Sequence, residues 1–562
     1  MIHRFNTAIG KQSLYCVLLI QDKQLTPEAK YLLMRILWLY GEADIPITLL
    51  EWIETLGLSE AVLRKARDLL LELGYLQESK GEVCSQKNVG RPRKLLKVTD
   101  ECVKKIEKAF LASEEWLCQR YDEHLLRIDY LLFWPIEGDT LRKQNYKKLK
   151  KNGADATCRH TFTAATRILL AVLYLHADRY GVVRNLSSVK LSTLTGMSLD
   201  RLESQFAIIT DLGYLMSRVS GLTNKKLFGH AKSIFFLNIF TDGLVTSNTT
   251  SLFLAFDMKI LNDYNDFSWA YRIRQWLFSP NKKFVHVPHR NANQVADFVN
   301  TQLGGDYFEK DKTDWADNLP QLLVGIRKLL VTKGLYFKRD NKGFTNTKDF
   351  YLFNTNPELI FEWLTLFEPF KLDECFDGGL TAHFFKYLQV KLDEYASELL
   401  SAVFIQFNGD DCYNMMYIDQ RLSDRIRADL FPSIKSVELI VSDTQSSALL
   451  LFIYCIAYQH ALALKGLIDV IFPSSSDHYS LSVLPNNHVN NFRTARYLIV
   501  SISSVNPLLA GNCHVINRVK DPTQELELKS YAVEELNAEQ RQLLFEECGY
   551  DLNKLIARSN NQ

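Results

Sequence analysis

Apolar residues recur at helical spacing through most of the first 240 positions, and glycine, proline or a small polar cap marks where each run begins or ends. Leu25-Thr26-Pro27-Glu28 predicts a helix start, with Thr26 as N-cap and proline in the first helical position, and Tyr31, Met34, Leu37 and Trp38 keep to one face until Gly41. Ile45-Pro46-Ile47 predicts a short edge strand, because proline has no N–H to give to a ladder. Positions 48–56 predict a second helix, broken at Gly57. Ser59 caps a third that runs to Leu73, with Val62, Ala66, Leu69, Leu70 and Leu73 inward and Glu60, Arg64, Lys65 and Arg67 outward. After the stop Leu73-Gly74-Tyr75-Leu76, two strands, Tyr75 to Ser79 and Leu95 to Val98, flank a loop that ends Gly90-Arg91-Pro92-Arg93-Lys94. Asp100 then opens a long helix whose Val103, Ile106, Phe110, Leu117 and Tyr121 share one stripe.

The same frame returns downstream. Gly57-Leu58-Ser59, Leu63 and Leu73-Gly74-Tyr75-Leu76 recur without a gap, 139 residues on, as Gly196-Met197-Ser198, Leu202 and Leu212-Gly213-Tyr214-Leu215. A helix from Thr163 to Tyr180, a Val182-Val183 strand and a helix from Ser187 to Thr195 precede it, so a second copy spans about 162–239. A third, degenerate copy is predicted over 262–355, where helices around Trp269 to Phe278, Asn293 to Leu303 and Leu319 to Thr332 precede Lys333-Gly334-Leu335-Tyr336. Beyond it, Thr381 to Phe404 and Leu449 to Leu467 predict helices, Asn491 to Ser501 a strand, and Tyr531 to Arg558 two short helices split at Gly549. The predicted fold is mainly α with small β-hairpins (α+β), in domains 1–99, 100–160, 161–240, 262–355 and a helix-rich 356–562.

Helix, short strand, helix, turn, helix and a two-stranded ribbon with a basic tip resemble the winged helix-turn-helix family, over the whole of Thr26 to Thr99 and again in the second copy. The resemblance is closest at the wing, where Gly90-Arg91-Pro92-Arg93 also looks like the core of an AT-hook. It implies tandem DNA-binding domains in which helix 59–73 reads a major groove and the 90–94 wing a minor groove. The helix after the wing resembles the dimerisation helix of winged-helix regulators; packing on its own neighbouring domain is the other use open to it.

Charge bears on the same point. The chain carries a net +1, but residues 1–239 hold 35 basic against 26 acidic groups and residues 240–562 hold 31 against 39. A polyanion therefore belongs on the first half, and the acidic second half suits oligomerisation or a protein partner. Between Lys80 and Lys97 six basic residues, Lys80, Lys87, Arg91, Arg93, Lys94 and Lys97, face one acid, Glu82. Pro92 keeps the backbone extended so that Arg91 and Arg93 project as a pair, and narrow A-tract grooves have enhanced negative potential. A solvated hairpin tip is the bland alternative. The segment 141–151, with Arg142, Lys143, Lys147, Lys148, Lys150 and Lys151 and no acid, predicts a linker that either lies along a DNA backbone or only solubilises. In the second copy Glu203 and Ser204 stand where the first has Arg64 and Lys65, with Asp200 nearby, although Lys225, Lys226, His230 and Lys232 remain on its hairpin.

The expected double-stranded DNA contacts are thus Ser59, Arg64, Lys65, Lys87, Arg91, Arg93, Lys94, Lys97, Lys147, Lys148, Lys225, Lys226 and Lys232. No phosphate-loop pattern occurs, His286 and His289 lack further ligands at metal spacing, and Asp373-Glu374 and Asp410-Asp411 read as solvated acids, so no catalytic residue, cofactor or metal is expected. Ten scattered cysteines without a C-x-x-C pair suit reduced thiols. The apolar run Ala448 to Tyr458 is far short of a span, and a cytoplasmic, nucleoid-associated protein without membrane contact is expected. The resemblance implies a sequence-specific transcriptional regulator, as a homodimer or higher oligomer. A plasmid-type replication initiator and a structural scaffold whose winged helices bind proteins are the alternatives.

Overall fold

The computed structural model describes residues 11–41, 43, 45–46, 58–80, 94–118, 122–133, 162–223, 227–239, 251–257, 270, 380–403, 419–432, helical positions within 449–464, and 480–485, 496–502, 512–517 and 527–532. These residues are mainly helical, 66% of them, with small antiparallel sheets. The predicted third copy at 262–355, the tip at 81–93, the linker at 141–151, the helix at 48–56, His286, His289 and the acid pairs at 373–374 and 410–411 lie outside the described residues. The chain divides into a first unit, Met1–Arg218 with Ser233–Thr249 and Leu552–Gln562, and a second, Val219–Lys232 with Thr250–Asp551.

In the first unit, helices α1 (Lys11–Leu19) and α2 (Pro27–Tyr40) precede strand β1 (Ile45–Pro46), helix α3 (Glu60–Glu72) and the ribbon β2 (Leu76–Lys80) and β3 (Lys94–Val98). Next come α4 (Asp100–Leu111), α5 (Glu114–Cys118) and α6 (Asp122–Phe133). The repeat supplies α7 (Ala164–His176), β4 (Val182–Val183), α8 (Ser188–Thr195), α9 (Leu199–Asp211), β5 (Leu215–Val219) and β8 (Ile234–Leu237). The two three-stranded sheets share one order, β1-β3-β2 and β4-β8-β5. The 139-residue repeat falls on equivalent geometry at the end of α3 and α9. Gly74 (φ +72°) and Gly213 (φ +80°) are left-handed. The next residue's N–H reaches back to Leu70 O and Ile209 O, both at 2.9 Å, and the glycine N–H bonds Leu71 O and Thr210 O. Only glycine enters this helix stop without a Cβ penalty, which is why the motif is so legible.

Two details differ from the pattern reading. On α3 the buried residues are Leu63, Ala66 and Leu70, while Val62, Leu69 and Leu73 are half-buried, because α3 packs on α2 through a narrow stripe and its flanks stay open. The long helix expected from Asp100 is interrupted after Leu111, where Ser113 Oγ donates to Ala109 O at 2.5 Å and Ala112 N–H closes on Lys108 O. Of its apolar stripe Ile106 and Leu117 are buried and Val103 and Phe110 half-buried, as α4 packs on α1; Tyr121 lies outside the described residues.

The copies are not separate domains. α2 packs directly on α7, and the buried residues of both copies form one continuous core. Buried basic side chains tie the seam. Lys30 Nζ donates to Ile20 O (2.7 Å) and to Leu194 O (2.5 Å) in the second copy. Arg35 from the first copy and Arg167 from the second both cap the C-terminal carbonyls of α6, on Leu132 and Phe133 and on Leu131. Helix-end carbonyls buried without donors are costly, and an unpaired buried group costs about 1–3 kcal/mol. Arg35→Met and Arg167→Met are each expected to destabilise the first unit by about that amount, and non-additively because they share one helix end. Urea unfolding of the two single variants and the double variant tests this; small, additive losses would show that the caps are dispensable.

In the second unit a five-stranded sheet has the order β10 (Ser480–Pro485), β11 (Arg496–Ile502), β9 (Ser251–Asp257), β12 (Asn512–Asn517) and β13 (Glu527–Ala532). All pairs are antiparallel except β9 with β12, which is parallel. Helix α10 (Leu380–Glu398), ending in a π turn over Leu399–Val403, packs on β10, and α11 (Gln420–Leu430) packs on α10. The helix-rich reading of 356–562 therefore captured α10 and the helical positions of 449–464, and its one strand, Asn491 to Ser501, falls on β11; it missed the other strands of the sheet, and Tyr531 belongs to a strand rather than a helix. The sheet escapes a local reading because its central strand, β9, comes from a segment more than 200 residues away from β10.

Candidate nucleic-acid interface

Helix α3 and ribbon β2–β3 position the described part of the expected interface. Ser59 takes the N-cap with extended backbone, φ −69° and ψ 152°, but its hydroxyl makes no cap hydrogen bond. In the second copy Ser198 does close its cap, accepting from Arg201 N–H at 3.3 Å. Arg64 and Lys65 are exposed on the outer face of α3. The Arg64 side chain is 59% exposed and holds Glu60 at 2.5 Å, a one-turn pair on the surface. Such pairs contribute about 0–1 kcal/mol, so this one yields readily to a phosphate or a base edge. Lys97 is half-buried in β3, opposite Gln77, and Lys94 is the register partner of Lys80 at the last described positions of the ribbon. Thr99 Oγ1 donates to Gly74 O at 2.6 Å and accepts from Cys102 N–H, which joins the foot of the ribbon to the end of α3.

Lys87, Arg91, Arg93, Lys147, Lys148, Lys225 and Lys226 lie outside the described residues. Lys232 is exposed, but it follows strand β7 (His230–Ala231), which pairs with β6 (Leu222–Thr223) in a hairpin that belongs to the second unit. The residues the structure gathers on one element pair are thus Ser59, Arg64 and Lys65 on α3 with Lys94 and Lys97 on β3.

The corresponding surface of the second copy is differently employed. Asp200, Glu203 and Ser204 are exposed on α9. Glu203 pairs with Arg218 at 2.6 Å, and the Arg218 guanidinium lies over the Phe206 ring at 4.4 Å. Arg201, on the first turn of α9, pairs with Glu28 on the first turn of α2. Arg201 and Arg218 are therefore engaged within the first unit, and no sequence spacing signals it, since Arg201 and Glu28 are 173 residues apart.

In the second unit, His460 Nε2 and Asp393 Oδ1 are 3.1 Å apart, and Gln389 Nε2 donates to the same oxygen at 2.7 Å. Burial pushes the Asp393 carboxyl up, opposed by His460 and Gln389. Both members of the pair are 2% exposed. Beside them Lys391 and Arg425 share Glu394, and Tyr395 Oη donates to Asp429 at 2.9 Å. The buried pair ties α10 to the helical positions of 449–464. Among the described residues no group of His, Cys, Asp and Glu is arranged to hold a metal, and no helix is long and apolar enough to cross a membrane. Comparison with protein families, with characterised proteins and with solved structures gives no match.

Proposed function

We propose that the chain is a tandem winged-helix protein that binds double-stranded DNA sequence-specifically as a transcriptional regulator. Its reading head is the first copy. The observation that carries this is the placement of exposed Arg64 and Lys65 on the outer face of α3, the helix that runs directly into a ribbon with a basic tip. A helix of that width fits a major groove, and the ribbon reaches adjacent phosphates or the minor groove. The acidic, internally bonded outer face of α9 supports an unequal division of labour between the copies.

Selection of bound fragments from random genomic DNA supplies a cognate site, and the full chain is then titrated against it and against random duplex. Arg64→Ala is expected to remove about 1–3 kcal/mol of discrimination. Equal losses on both duplexes would show that α3 positions the protein without reading sequence. Replacing Arg91, Arg93 and Lys94 together by Ala is expected to lower the slope of log affinity against log salt by about 2–3, at roughly 0.9 per phosphate. An unchanged slope would take the wing out of the interface.

A further inference from the structure

The turn that leads into α2 is held from two sides. Asp22 fixes its own turn by accepting from Gln24 N–H on Oδ1 at 3.0 Å, which leaves Oδ2 to accept from Tyr75 Oη, also at 3.0 Å. Tyr75 is the first residue after the left-handed Gly74, so it stands between the end of α3 and the start of the ribbon. It is fully buried; its carbonyl accepts from Thr99 N–H at 3.1 Å at the foot of the ribbon, and Lys105 of α4 lies over its ring at 4.5 Å. Burial, and then the Asp22 carboxylate, push the phenol up, so it stays a donor. The second copy repeats the backbone bond, Asn238 N–H to Tyr214 O at 2.8 Å, but sets the Tyr214 ring edge-on to Phe162 at 5.0 Å. On its other side the turn meets the second copy. Lys30 joins Ile20 O to Leu194 O, Gly196 leaves no room for a Cβ against Leu25 O and Thr26 Cα, and Arg201 pairs with Glu28.

We infer that the second copy braces the reading head of the first: the turn 20–28, clamped at the seam, sets the angle between α3 and the β2–β3 ribbon through the Asp22–Tyr75 hydrogen bond. Asp22 and Tyr75 are positioning residues. The link between α3 and the ribbon runs through Gly74, the most permissive kind of backbone, so a side chain has to restrain the angle there. The Tyr75 hydroxyl supplies that restraint, Asp22 is only as fixed as its turn, and the seam fixes the turn. A helix in one groove and a ribbon on the adjacent backbone engage a duplex together at one angle, and holding that angle beforehand lowers the ordering cost of binding. The second copy, with its acidic α9 face, thereby serves binding without touching the duplex. The inference rests on the DNA-binding reading for what the brace serves, not for the brace itself.

Hydrogen exchange of the full chain, followed in peptides covering Leu76–Lys80 and Lys94–Val98, tests the brace without DNA. Lys30→Met cuts the seam side and Tyr75→Phe the ribbon side; should Lys30→Met unfold the first unit, Arg201→Met cuts the seam at its surface pair and decides instead. Each is expected to speed ribbon exchange by roughly three- to tenfold relative to α7, the scale of one hydrogen bond. A seam change added to Tyr75→Phe is expected to speed the ribbon no further, because the link is already cut. Ribbon exchange that ignores the seam variants, or that rises only in step with α7, would overturn the brace. The same variants are then titrated with the cognate duplex at several salt concentrations. Affinity is expected to fall by roughly three- to tenfold with the salt slope unchanged, since no phosphate contact is removed. A loosened ribbon with unchanged affinity would overturn its role in positioning the reading head. If wild type binds no duplex at low salt, the DNA-binding reading fails by itself, and the exchange result still decides the brace.

Discussion

Gly196→Ala is expected to destabilise the first unit by about 3–5 kcal/mol, well beyond what its backbone conformation alone explains. Gly196 sits at φ +71° as the C-cap of α8, and Gly74 sits at φ +72° at the end of α3. A side chain in the left-handed region costs roughly 1–2 kcal/mol at either place. The surroundings differ: a Cβ on Gly74 meets nothing within 4 Å, whereas on Gly196 it would stand 1.9 Å from the Leu25 carbonyl oxygen and 2.9 Å from its carbon. Because the obstacle is backbone at the start of α2, the turn between α8 and α9 has to withdraw from the first copy. Withdrawal opens the Lys30 bond to Leu194 O and the Arg201–Glu28 pair. Gly74→Ala therefore serves as the control, with urea unfolding and hydrogen exchange in α2 and α7 as readouts. Equal losses at the two glycines would show that conformation, not close approach, is what the turn demands.

The second large effect is a dependence of stability on pH through Lys30. The side chain is fully buried where the two copies meet. Burial takes its pKa from 10.5 down to about 7, with Asp22 acting in the opposite direction. The folded chain thus releases this proton near pH 7 while the unfolded chain keeps it to 10.5. In that window the unfolded state binds more protons, so stability rises with pH; the penalty for the charged amine is fully present below about 7 and gone above the unfolded pKa. From pH 7 to 8.5 the expected gain is roughly 1.5 kcal/mol. Cys16 and Cys102, pushed by burial from 9.0 up to about 11 and about 12, work the other way. Their unfolded thiols ionise first, so they remove stability as pH rises past 9, and the measurement belongs below that. Lys30→Met keeps the volume and loses the charge. It leaves Ile20 O and Leu194 O without this donor, a pH-independent loss of about 1–3 kcal/mol each, but flattens the slope between pH 7 and 8.5. A variant as pH-dependent as wild type would place the titration elsewhere.

What could be read along the chain and what could not divide along one physical line. Helix starts, helix stops and the repeat are local: Thr26 and Thr163 cap their own helices, Gly74 and Gly213 turn their own chain ends, and apolar spacing announces which face is covered. These follow from backbone sterics and from periodicity within a dozen residues, so the sequence alone determined the two copies, their ribbons, the outward Arg64 and Lys65 and the contrast with Asp200 and Glu203. Which exposed-looking groups are free to act was settled only by contacts between distant segments. Arg201 and Arg218 are occupied by Glu28, Glu203 and the Phe206 ring. Lys30, Arg35 and Arg167 look like the polar positions of amphipathic helices and are instead the buried ties of a seam between the two copies. The hairpin at 222–231 looks like a second wing, and Phe228 commits it to α10 and α11. The sheet of the second unit, with β9 paired to strands more than 200 positions along, belongs to the same class. A hydrogen bond or ion pair between residues so far apart leaves no periodicity in the sequence, and tertiary packing is where its partner is chosen.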